Sequence, residues 1–418
     1  MATRITFNPG RREIVRNLFF LSGGVLLGCK SGAPQQNAQD IRTSTPQATQ
    51  APSTPSAPPT TAPLQVQQID SARVQALLPH YNAWKTRFLK LLSDGSALVI
   101  DPSQANRAVS EGFGYGMLLA VSFNDRTTFD ALLKGYQKNV EANGIGLSAW
   151  LMDENGNIQD ESNAIDADID TSLALLKAGQ KWGEASYQQT ASRIISTIGE
   201  KALRTVNGKT YLLPSGKAFE FIKGDDFIIN PSYFNMTALR LFAQVDSGHN
   251  WQAVIDSSYE ILSKAQAQFG FIPDWLGLHS STGEVFELTR EYCSERYLFD
   301  ANQRLHIFGN DAVRVLWQLA QDYQSNQDRR AKDILNKMLE TAAPSDTKVQ
   351  DAWSEQGWHN EIGAAAYALA AATIDHSQAE AFAKEFEAFE REDFYGAWDG
   401  AKDYYYNQSI TLLMYLGI

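Results

Sequence analysis

Three carboxylates, widely separated in the sequence, each precede an apolar segment. Glu111 lies in "AVSEGFGYGM", Asp166 lies in "NAIDADID" and Asp311 lies in "NDAVRV". Two carboxyl groups held near one substrate can act as a general acid and a general base. An acid in the first turn of a helix also stabilises the helix dipole, and this structural role is the alternative for all three. The choice depends on the elements that carry these residues.

Helical periodicity of apolar residues dominates from about residue 67 to the C-terminus. It predicts twelve helices, over 70–94, 109–123, 126–142, 166–182, 185–203, 231–245, 249–269, 307–324, 329–342, 359–375, 378–390 and 404–416. Two long segments, 204–230 and 270–306, interrupt the series, and we expect short strands or loops in them. Connections of this length in a compact domain are usually functional.

Twelve consecutive helices favour six antiparallel hairpins, which close into an α/α barrel with alternate helices inside and outside. The six even-numbered helices would then all begin at one end of the barrel and should be the more apolar ones. Their predicted starts carry acids, aromatic residues and amides: Ser110 and Glu111, Asp166, "NPSYF" (230–234), Asn310 and Asp311, Trp358 and His359, and "YYYN" (404–407). The sequence therefore predicts an all-α (α/α)6 barrel with a polar and aromatic cleft at that end.

These motifs resemble glycoside hydrolase family 8, inverting enzymes built on an (α/α)6 barrel. The resemblance is closest to the bacterial cellulases, including those that accompany cellulose synthesis. It rests on "DPSQANRAVSEGFGYGM" (101–117), "NAIDADIDTSLALLKAGQKW" (163–182), "NPSYF" (230–234), "FIPDW" (271–275) and "NDAVRV" (310–315). The likeness covers residues 67–418, which we take as the catalytic domain.

Matched residue by residue, the resemblance implies Glu111 as general acid and Asp311 as general base. It implies Asp166 as a third acid, to which we assign a sugar-holding role because an inverting enzyme needs no nucleophile. The expected substrate is a β-1,4-linked glucan, cleaved internally and without a cofactor or metal. Candidate substrate-binding residues are Tyr115, Trp150, Asp168, Tyr233, Trp275, Arg314 and Tyr405.

The environment of Glu111 raises two further expectations. Glycine costs about 1 kcal/mol relative to alanine inside a helix, so Gly112, Gly114 and Gly116 indicate a close approach to the backbone. We expect a sugar ring to make that approach. Burial and a neighbouring carboxylate such as Asp166 would raise the pKa of Glu111, whereas a helix N-terminus would lower it. The sequence leaves the net direction open.

Tryptophans outside the helix interiors are candidates for stacking against sugar rings, because aromatic faces pack against apolar C–H surface. They are Trp150, Trp275, Trp353, Trp358 and Trp398, and packing in the core is their alternative. Inside helices, Trp182 and Trp317 are predicted to pack in the core.

The charge balance limits the classes of partner. The net charge is −12, and residues 1–29 contribute +3, which leaves −15 for the remainder. This balance argues against nucleic acid or an anionic membrane surface as the main partner, and against a lyase of anionic polysaccharides. Xylan or chitosan remains open as the substrate of the same acid pair. A non-catalytic glycan-binding lipoprotein is disfavoured because it would not need both Glu111 and Asp311. We expect a monomer.

The N-terminus has the composition of an export signal followed by a tether. Basic residues precede an apolar run at 18–27, which is too short to span a membrane comfortably. The run ends in "LLGC", which resembles a bacterial lipobox and implies lipidation of Cys29. Residues 30–66 hold seven of the 14 prolines and no aromatic residue, so we expect a disordered linker. The prediction is an exported lipoprotein, attached to the membrane only through its N-terminal lipid anchor.

Overall fold

The computed structural model describes residues 69–216, 224–293, 303–350, 352, 357–359, 361–391 and 405–418. They contain twelve α-helices: α1 Ser71–Phe88, α2 Glu111–Ser122, α3 Arg126–Asn143, α4 Ile165–Trp182, α5 Ala185–Ala202, α6 Met236–Val245, α7 Trp251–Phe269, α8 Asn310–Asn326, α9 Arg329–Thr341, α10 Glu361–Thr373, α11 Ala379–Arg391 and α12 Tyr405–Leu416. All twelve predicted helices are therefore present, in the predicted order.

Short antiparallel strands occupy several connections. They are β1 Leu89–Leu91, β2 Ala97–Asp101, β3 Arg107–Val109, β4 Leu151–Met152, β5 Ile158–Asp160, β6 Leu203–Val206, β7 Lys209–Leu212, β8 Phe227–Ile229, β9 Leu276–Leu278, β10 Val285–Phe286, β11 Lys348–Gln350 and β12 Gly357–His359. Strands β1 to β5 form one sheet in sequence order, β10, β9 and β8 form a second, and β6–β7 and β11–β12 are two-stranded ribbons. The long segments 204–230 and 270–306 contain strands, as expected.

Two helix predictions were wrong at one end. The first predicted helix continued to residue 94, but α1 ends at Phe88 because the chain pairs there as β1 with β2. The sixth was predicted from residue 231. Pro231–Tyr233 instead forms a 3-10 turn, and α6 begins at Met236 after Asn235, whose side chain accepts a hydrogen bond from the Ala238 amide.

The even-numbered helices form a closed ring of contacts. Each contacts the next even-numbered helix, and α12 contacts α2. Each odd-numbered helix packs outside an even-numbered neighbour, with α1 against α12. This is the predicted (α/α)6 arrangement, with α2, α4, α6, α8, α10 and α12 as the inner helices.

Burial separates the two sets of helices. The inner helix α2 is buried from Gly112 to Ser122, and α10 from Ile362 to Ala371. The outer helix α9 buries one face only, through residues such as Ile334, Leu335 and Met338. The inner helices are thus the more apolar ones, as predicted. No helix in the described part of the chain is both long enough and apolar enough to span a membrane.

The glycines of α2 serve packing between elements of the barrel, so the expectation that they admit a sugar ring was wrong. A Cβ added at Gly114 would lie 2.7 Å from Cβ of Asp170 on α4. A Cβ at Gly112 would lie 2.8 Å from Cβ of Val99, and one at Gly116 would lie 2.7 Å from Leu132. The absence of side chains lets α2 approach β2, α3 and α4 closely.

Candidate active site

A buried arginine joins the three acids that the sequence singles out. Nη1 of Arg314 lies 2.9 Å from Oε1 of Glu111 and 2.7 Å from Oδ2 of Asp166, and Nη2 lies 3.0 Å from Oδ1 of Asp311. The Arg314 side chain is only 2% exposed. The first turns of α2, α4 and α8 therefore meet at one guanidinium, as the parallel arrangement of inner helices predicts.

The segment before α6 completes the environment of Asp311. Nδ2 of Asn230 donates to Oδ2 of Asp311 over 2.9 Å, and Oγ of Ser232 lies 2.7 Å from Nη2 of Arg314. Oδ1 of Asn230 accepts from the amide and the hydroxyl of Ser232, which fixes the turn. Both oxygens of Asp311 are thus held, while its side chain keeps 26% of its surface exposed.

Two tyrosine hydroxyls contact Glu111. The Tyr115 hydroxyl donates to Oε1 of Glu111 at 3.4 Å and lies 2.9 Å from Nη1 of Arg314. The Tyr405 hydroxyl, from the start of α12, lies 3.4 Å from Oε2. The Glu111 side chain remains 21% exposed. It is therefore positioned from two sides and still accessible.

The electrostatic balance favours a protonated Glu111. Burial, followed by the negative charge of Asp166, raises the pKa of Glu111 well above its usual value, although Arg314 opposes this. Burial also raises the pKa of Asp311, but Arg314 and the hydrogen bond from Asn230 act against that rise. One guanidinium faces three carboxyl groups, so full ionisation would leave excess buried negative charge. These contacts favour a protonated Glu111, and they favour the ionised form of Asp311 more than burial alone would allow.

Asp274, in the "FIPDW" motif, caps the helix that carries Asp311. Its Oδ1 accepts hydrogen bonds from the amides of Gly309 and Ala312, at 2.9 and 2.8 Å. A Cβ at Gly309 would lie 2.2 Å from Oδ2 of Asp274, so this approach requires glycine. Burial and the nearby Asp311 raise the pKa of Asp274 well above its usual value. The cap fixes the first turn of α8 and with it the position of Asp311.

The structure does not place Asp168 in contact with substrate, which corrects that prediction. Its side chain has no exposed surface, and its oxygens accept hydrogen bonds from the Tyr136 hydroxyl, the Ser148 amide and Nδ2 of Asn163. These contacts attach α4 to α3 and to the 148–163 connection. Burial raises the pKa of Asp168 to about 6. Asp168 holds the scaffold under the site.

Tyr115 and Arg314 also differ from their predicted role. Tyr115 is fully buried and Arg314 nearly so, and their polar atoms contact Glu111, Asp166, Asp311 and each other. A side chain without exposed surface has nothing to offer a sugar directly. Both residues position the carboxyl groups instead.

The remaining aromatic candidates lie at several depths. Trp150 is half-buried next to the start of α2, where its carbonyl accepts from the Ser110 amide. Tyr233 is 8% exposed, with Arg314 5.4 Å from its ring centroid. Trp275 is 9% exposed and packs in a small cluster with Ile228. Trp150 is the most exposed residue of these three.

The remaining tryptophans were predicted either to pack in the core or to stack against sugar. Trp317 is buried and Trp182 is partly buried against the core, as predicted. Trp353, Trp398, the side chain of Trp358 and the N-terminal Cys29 lie outside the described residues.

Three of the residues that complete the site were missed as individual assignments. Asn230, Ser232 and Asp274 lie in the segments 230–234 and 271–275, but the sequence alone assigned no individual role to them. A signal existed, because Asn and Asp before a turn or a helix commonly bind backbone amides. Among the described residues, no group of three or more His, Cys, Asp or Glu side chains could hold a metal ion.

Comparison with known sequences gives a consistent assignment. The model of the family described as "Glycosyl hydrolases family 8" matches residues 63–417. "Endoglucanase A" of Acetivibrio thermocellus is 29% identical over 373 residues, which are 84% of this chain and 70% of that protein. The chain spans about half the length of other curated relatives, such as 46% of "Endoglucanase 2" of Ruminiclostridium josui, which is 34% identical over 239 residues, 56% of this chain.

Comparison with solved structures supports the same fold. A "Beta-1,3-1,4-glucanase from Paenibacillus sp.X4" superposes with a TM-score of 0.66 and 24% identity, covering 83% of this chain and 92% of that one. A "reducing-end-xylose releasing exo-oligoxylanase" gives a TM-score of 0.63 and 18% identity, covering 83% and 93% of the two chains. One fold thus accommodates relatives with different named substrates.

Proposed function

The chain belongs to glycosyl hydrolases family 8, and on that premise we propose that it cleaves β-1,4-glucan chains internally, with inversion at the anomeric carbon. Glu111 is the general acid and Asp311 the general base. The substrate is a β-1,4-linked polysaccharide of the cellulose type. The names of the curated relatives, which are endoglucanases and a β-glucanase, support this substrate class.

The observation that carries the proposal is the shared contact with Arg314. Glu111 and Asp311 bind different terminal nitrogens of one buried guanidinium, so a single residue sets the separation of the two carboxyl groups. In inverting glycosidases these groups stand about 6.5–9.5 Å apart, which leaves room for a water molecule beside the sugar ring. A rigid cation between acid and base suits such a fixed spacing, because guanidinium is planar and always charged.

The proposed reaction uses each carboxyl group once. Protonated Glu111 gives its proton to the glycosidic oxygen as the bond to the anomeric carbon breaks. Asp311 takes a proton from water, whose oxygen attacks the opposite face of the same carbon. Asp166 shares Nη1 of Arg314 with Glu111, and the charge of its carboxylate raises the pKa of Glu111, which favours retention of the proton until transfer. Asp166 thereby supports the acid in addition to the sugar-holding role assigned to it.

One assay tests the substrate class. We expect reducing-sugar release from carboxymethylcellulose and mixed-linkage glucan to exceed release from xylan and chitosan by at least tenfold. The Glu111→Gln variant, prepared in parallel, measures contaminating activity. Faster release from xylan or chitosan would reassign the substrate within the same mechanism. Binding to all four polymers without release from any would favour a glycan-binding protein.

We further propose that the protein is an exported lipoprotein, with lipid on Cys29 and residues 30–66 as a tether. The support is the apolar run that ends at Cys29 and the proline-rich composition that follows it. Stable anchoring takes at least two lipid chains, which lipoprotein processing would supply. Expressed in a bacterial host, the Cys29→Ser variant should leave the membrane fraction with unchanged specific activity. Retention of this variant after a high-salt wash would contradict the lipid anchor.

A further inference from the structure

Asp170, one helical turn after Asp166, is a buried carboxyl group that the proposed reaction does not use. We propose that Asp170 is a positioning residue, which acts through Asn235 to hold the 230–235 segment where it binds Asp311 and Arg314. The inference rests on the proposed role of Asp311 as general base. It assigns a function to a side chain that lies in the core of the barrel, 7% exposed.

The side chain of Asn235 connects α4 to the start of α6. Nδ2 of Asn235 donates to Oδ1 of Asp170 over 3.0 Å, and Oδ1 of Asn235 accepts from the Ala238 amide at 3.1 Å. Both ends of the Asn235 amide are therefore used. One end caps α6, and the other attaches the cap to α4.

Hydrogen bonds within residues 230–235 connect Asn235 to the groups that hold Asp311. Residues 230–235 form a tight turn, in which the Asn235 amide donates to the Tyr233 carbonyl and Asn230 binds Ser232. Asn230 at the beginning of this segment donates to Asp311, and Ser232 contacts Arg314. A shift of the segment at Asn235 would therefore move the groups that hold Asp311.

The 230–235 segment is also held by α8. Nε2 of Gln318 on α8 donates to the Ser232 carbonyl over 2.8 Å. The segment is thus held to α8 by Asp311, Arg314 and Gln318, and to α4 by Asp170. Without the contact to α4, the segment would depend more on its hydrogen bonds to α8, the helix that carries Asp311.

The surroundings of Asp170 decide how the contact responds to pH. The charged groups that act on Asp170 are Asp166 on α4 and Arg314 on α8. Asn235 faces it from the cap of α6, and Gly114, which has no side chain, faces it from α2. Burial and then Asp166 raise the pKa of Asp170 to about 7, against Arg314 and the Asn235 hydrogen bond. An ionised acceptor makes the stronger hydrogen bond. The contact with Asn235 therefore tightens as the pH rises through about 7.

The test compares variants that break the contact with one that preserves it. Asp170→Ala removes the acceptor, and Asn235→Ser removes the donor while serine still caps α6. Each should lower kcat about tenfold and change KM less than twofold, on whichever panel substrate the wild type hydrolyses best. The double variant should be no slower than the worse single variant, because both remove one interaction. Asp170→Asn retains an acceptor oxygen, so it should keep at least half of kcat at pH 5 and lose any inflection near pH 7.

Several outcomes would overturn the proposal. One is a kcat above half the wild-type value in both Asp170→Ala and Asn235→Ser, and another is losses that multiply in the double variant. If Asp170→Ala fails to fold, the kcat of Asn235→Ser and the pH profile of Asp170→Asn test the positioning role instead. An inactive wild type would instead refute the proposed function. In that case, a crystal structure of Asn235→Ser still decides, because the proposal requires the Asn230–Asp311 distance to exceed 3.5 Å.

Discussion

Asn230 and Asp311 are joined by a hydrogen bond of 2.9 Å from Nδ2 to Oδ2, although 81 residues separate them in the sequence. The other oxygen of Asp311 binds Arg314. Both contacts stabilise the carboxylate and counteract the rise in the pKa of Asp311 that burial causes. A general base must be ionised, so the amide of Asn230 extends the pH range in which Asp311 can accept a proton.

The Asn230→Ala variant tests this relationship. Loss of a bond that lowers the pKa of Asp311 must raise that pKa, so the acidic limb of the kcat/KM profile should move to higher pH. The alkaline limb, which we assign to Glu111, should move less. We expect a shift of roughly one pH unit in the acidic limb, the typical effect of one hydrogen bond to a charged group. An unchanged acidic limb would show that Asn230 does not affect the pKa of the general base.

The proposed acid and base should each be essential for turnover. General acid–base groups contribute about 10²–10⁴-fold to rate, so Glu111→Gln and Asp311→Asn should each lower kcat by a factor in that range. Binding of a cello-oligosaccharide, measured by calorimetry, should persist in both. Glu154→Gln, which alters a partly exposed ion pair with Lys90, is the matched control. A variant that keeps more than a tenth of wild-type kcat would remove its residue from the mechanism.

The stereochemistry of the product follows from the separate roles of Glu111 and Asp311. Direct attack by water predicts that the α-anomer forms first from a β-linked oligosaccharide. Proton NMR within the first minutes of the reaction would detect it before mutarotation. Early accumulation of the β-anomer would mean retention, and Asp311 could then not be the residue that activates water.

Because Asp274 caps α8, its removal should lower both the free energy of unfolding and kcat. Asp274→Ala removes an acceptor for two amides and should cost about 1–2 kcal/mol in the free energy of unfolding. It should also lower kcat, because Asp311 lies in the first turn of the released helix. Asp274→Asn keeps an acceptor oxygen and should retain most of both quantities. Equal losses in the two variants would mean that the charge of Asp274, rather than its hydrogen bonds, matters.

The contact between Gly114 and Asp170 predicts the effect of a single added methyl group. In Gly114→Ala the new Cβ would lie 2.7 Å from Cβ of Asp170, so α2 and α4 must separate. Overpacking of this kind costs about 1–3 kcal/mol, against about 1 kcal/mol of improved helix propensity. We expect a lower melting temperature and a lower kcat. Gly216→Ala is the control, since its nearest neighbours would lie at 3.4 Å. A fully stable Gly114→Ala would show that the helices can separate without cost.

The helical framework could be predicted because its signal is local and repeated. Outer helices such as α9 carry apolar residues on one face, inner helices such as α2 and α10 are apolar on all sides, and the order of the helices then determines which ends meet. The parallel inner helices place Glu111, Asp166 and Asp311 at one end of the barrel, and the structure has all three at Arg314. The order of the helices also predicted Tyr405 at the opening of α12, where the structure places its hydroxyl beside Glu111.

Predictions failed where a side chain had to be assigned to one neighbour among several. The spacing in "DADID" shows that Asp166 and Asp170 share a helix face, but it does not reveal that Asp168 is enclosed by Tyr136, Ser148 and Asn163. The glycines of α2 indicated a close approach to the backbone, but the sequence did not show which group approaches. That group proved to be protein rather than sugar, because packing across the barrel depends on residues distant in sequence.

The closure of the inner ring has a consequence for how the molecule is made. Helix α12 packs against α1 and α2, and the Trp84 indole donates to the Ser409 hydroxyl across 325 residues. Contacts between such distant residues form late, since the chain must close a long loop before it gains from them. Before α12 is synthesised, the ring of inner helices therefore lacks the contacts that close it. Glu111 is among the first parts of the cluster to be synthesised, and it can contact Tyr405 only after α12 has been made.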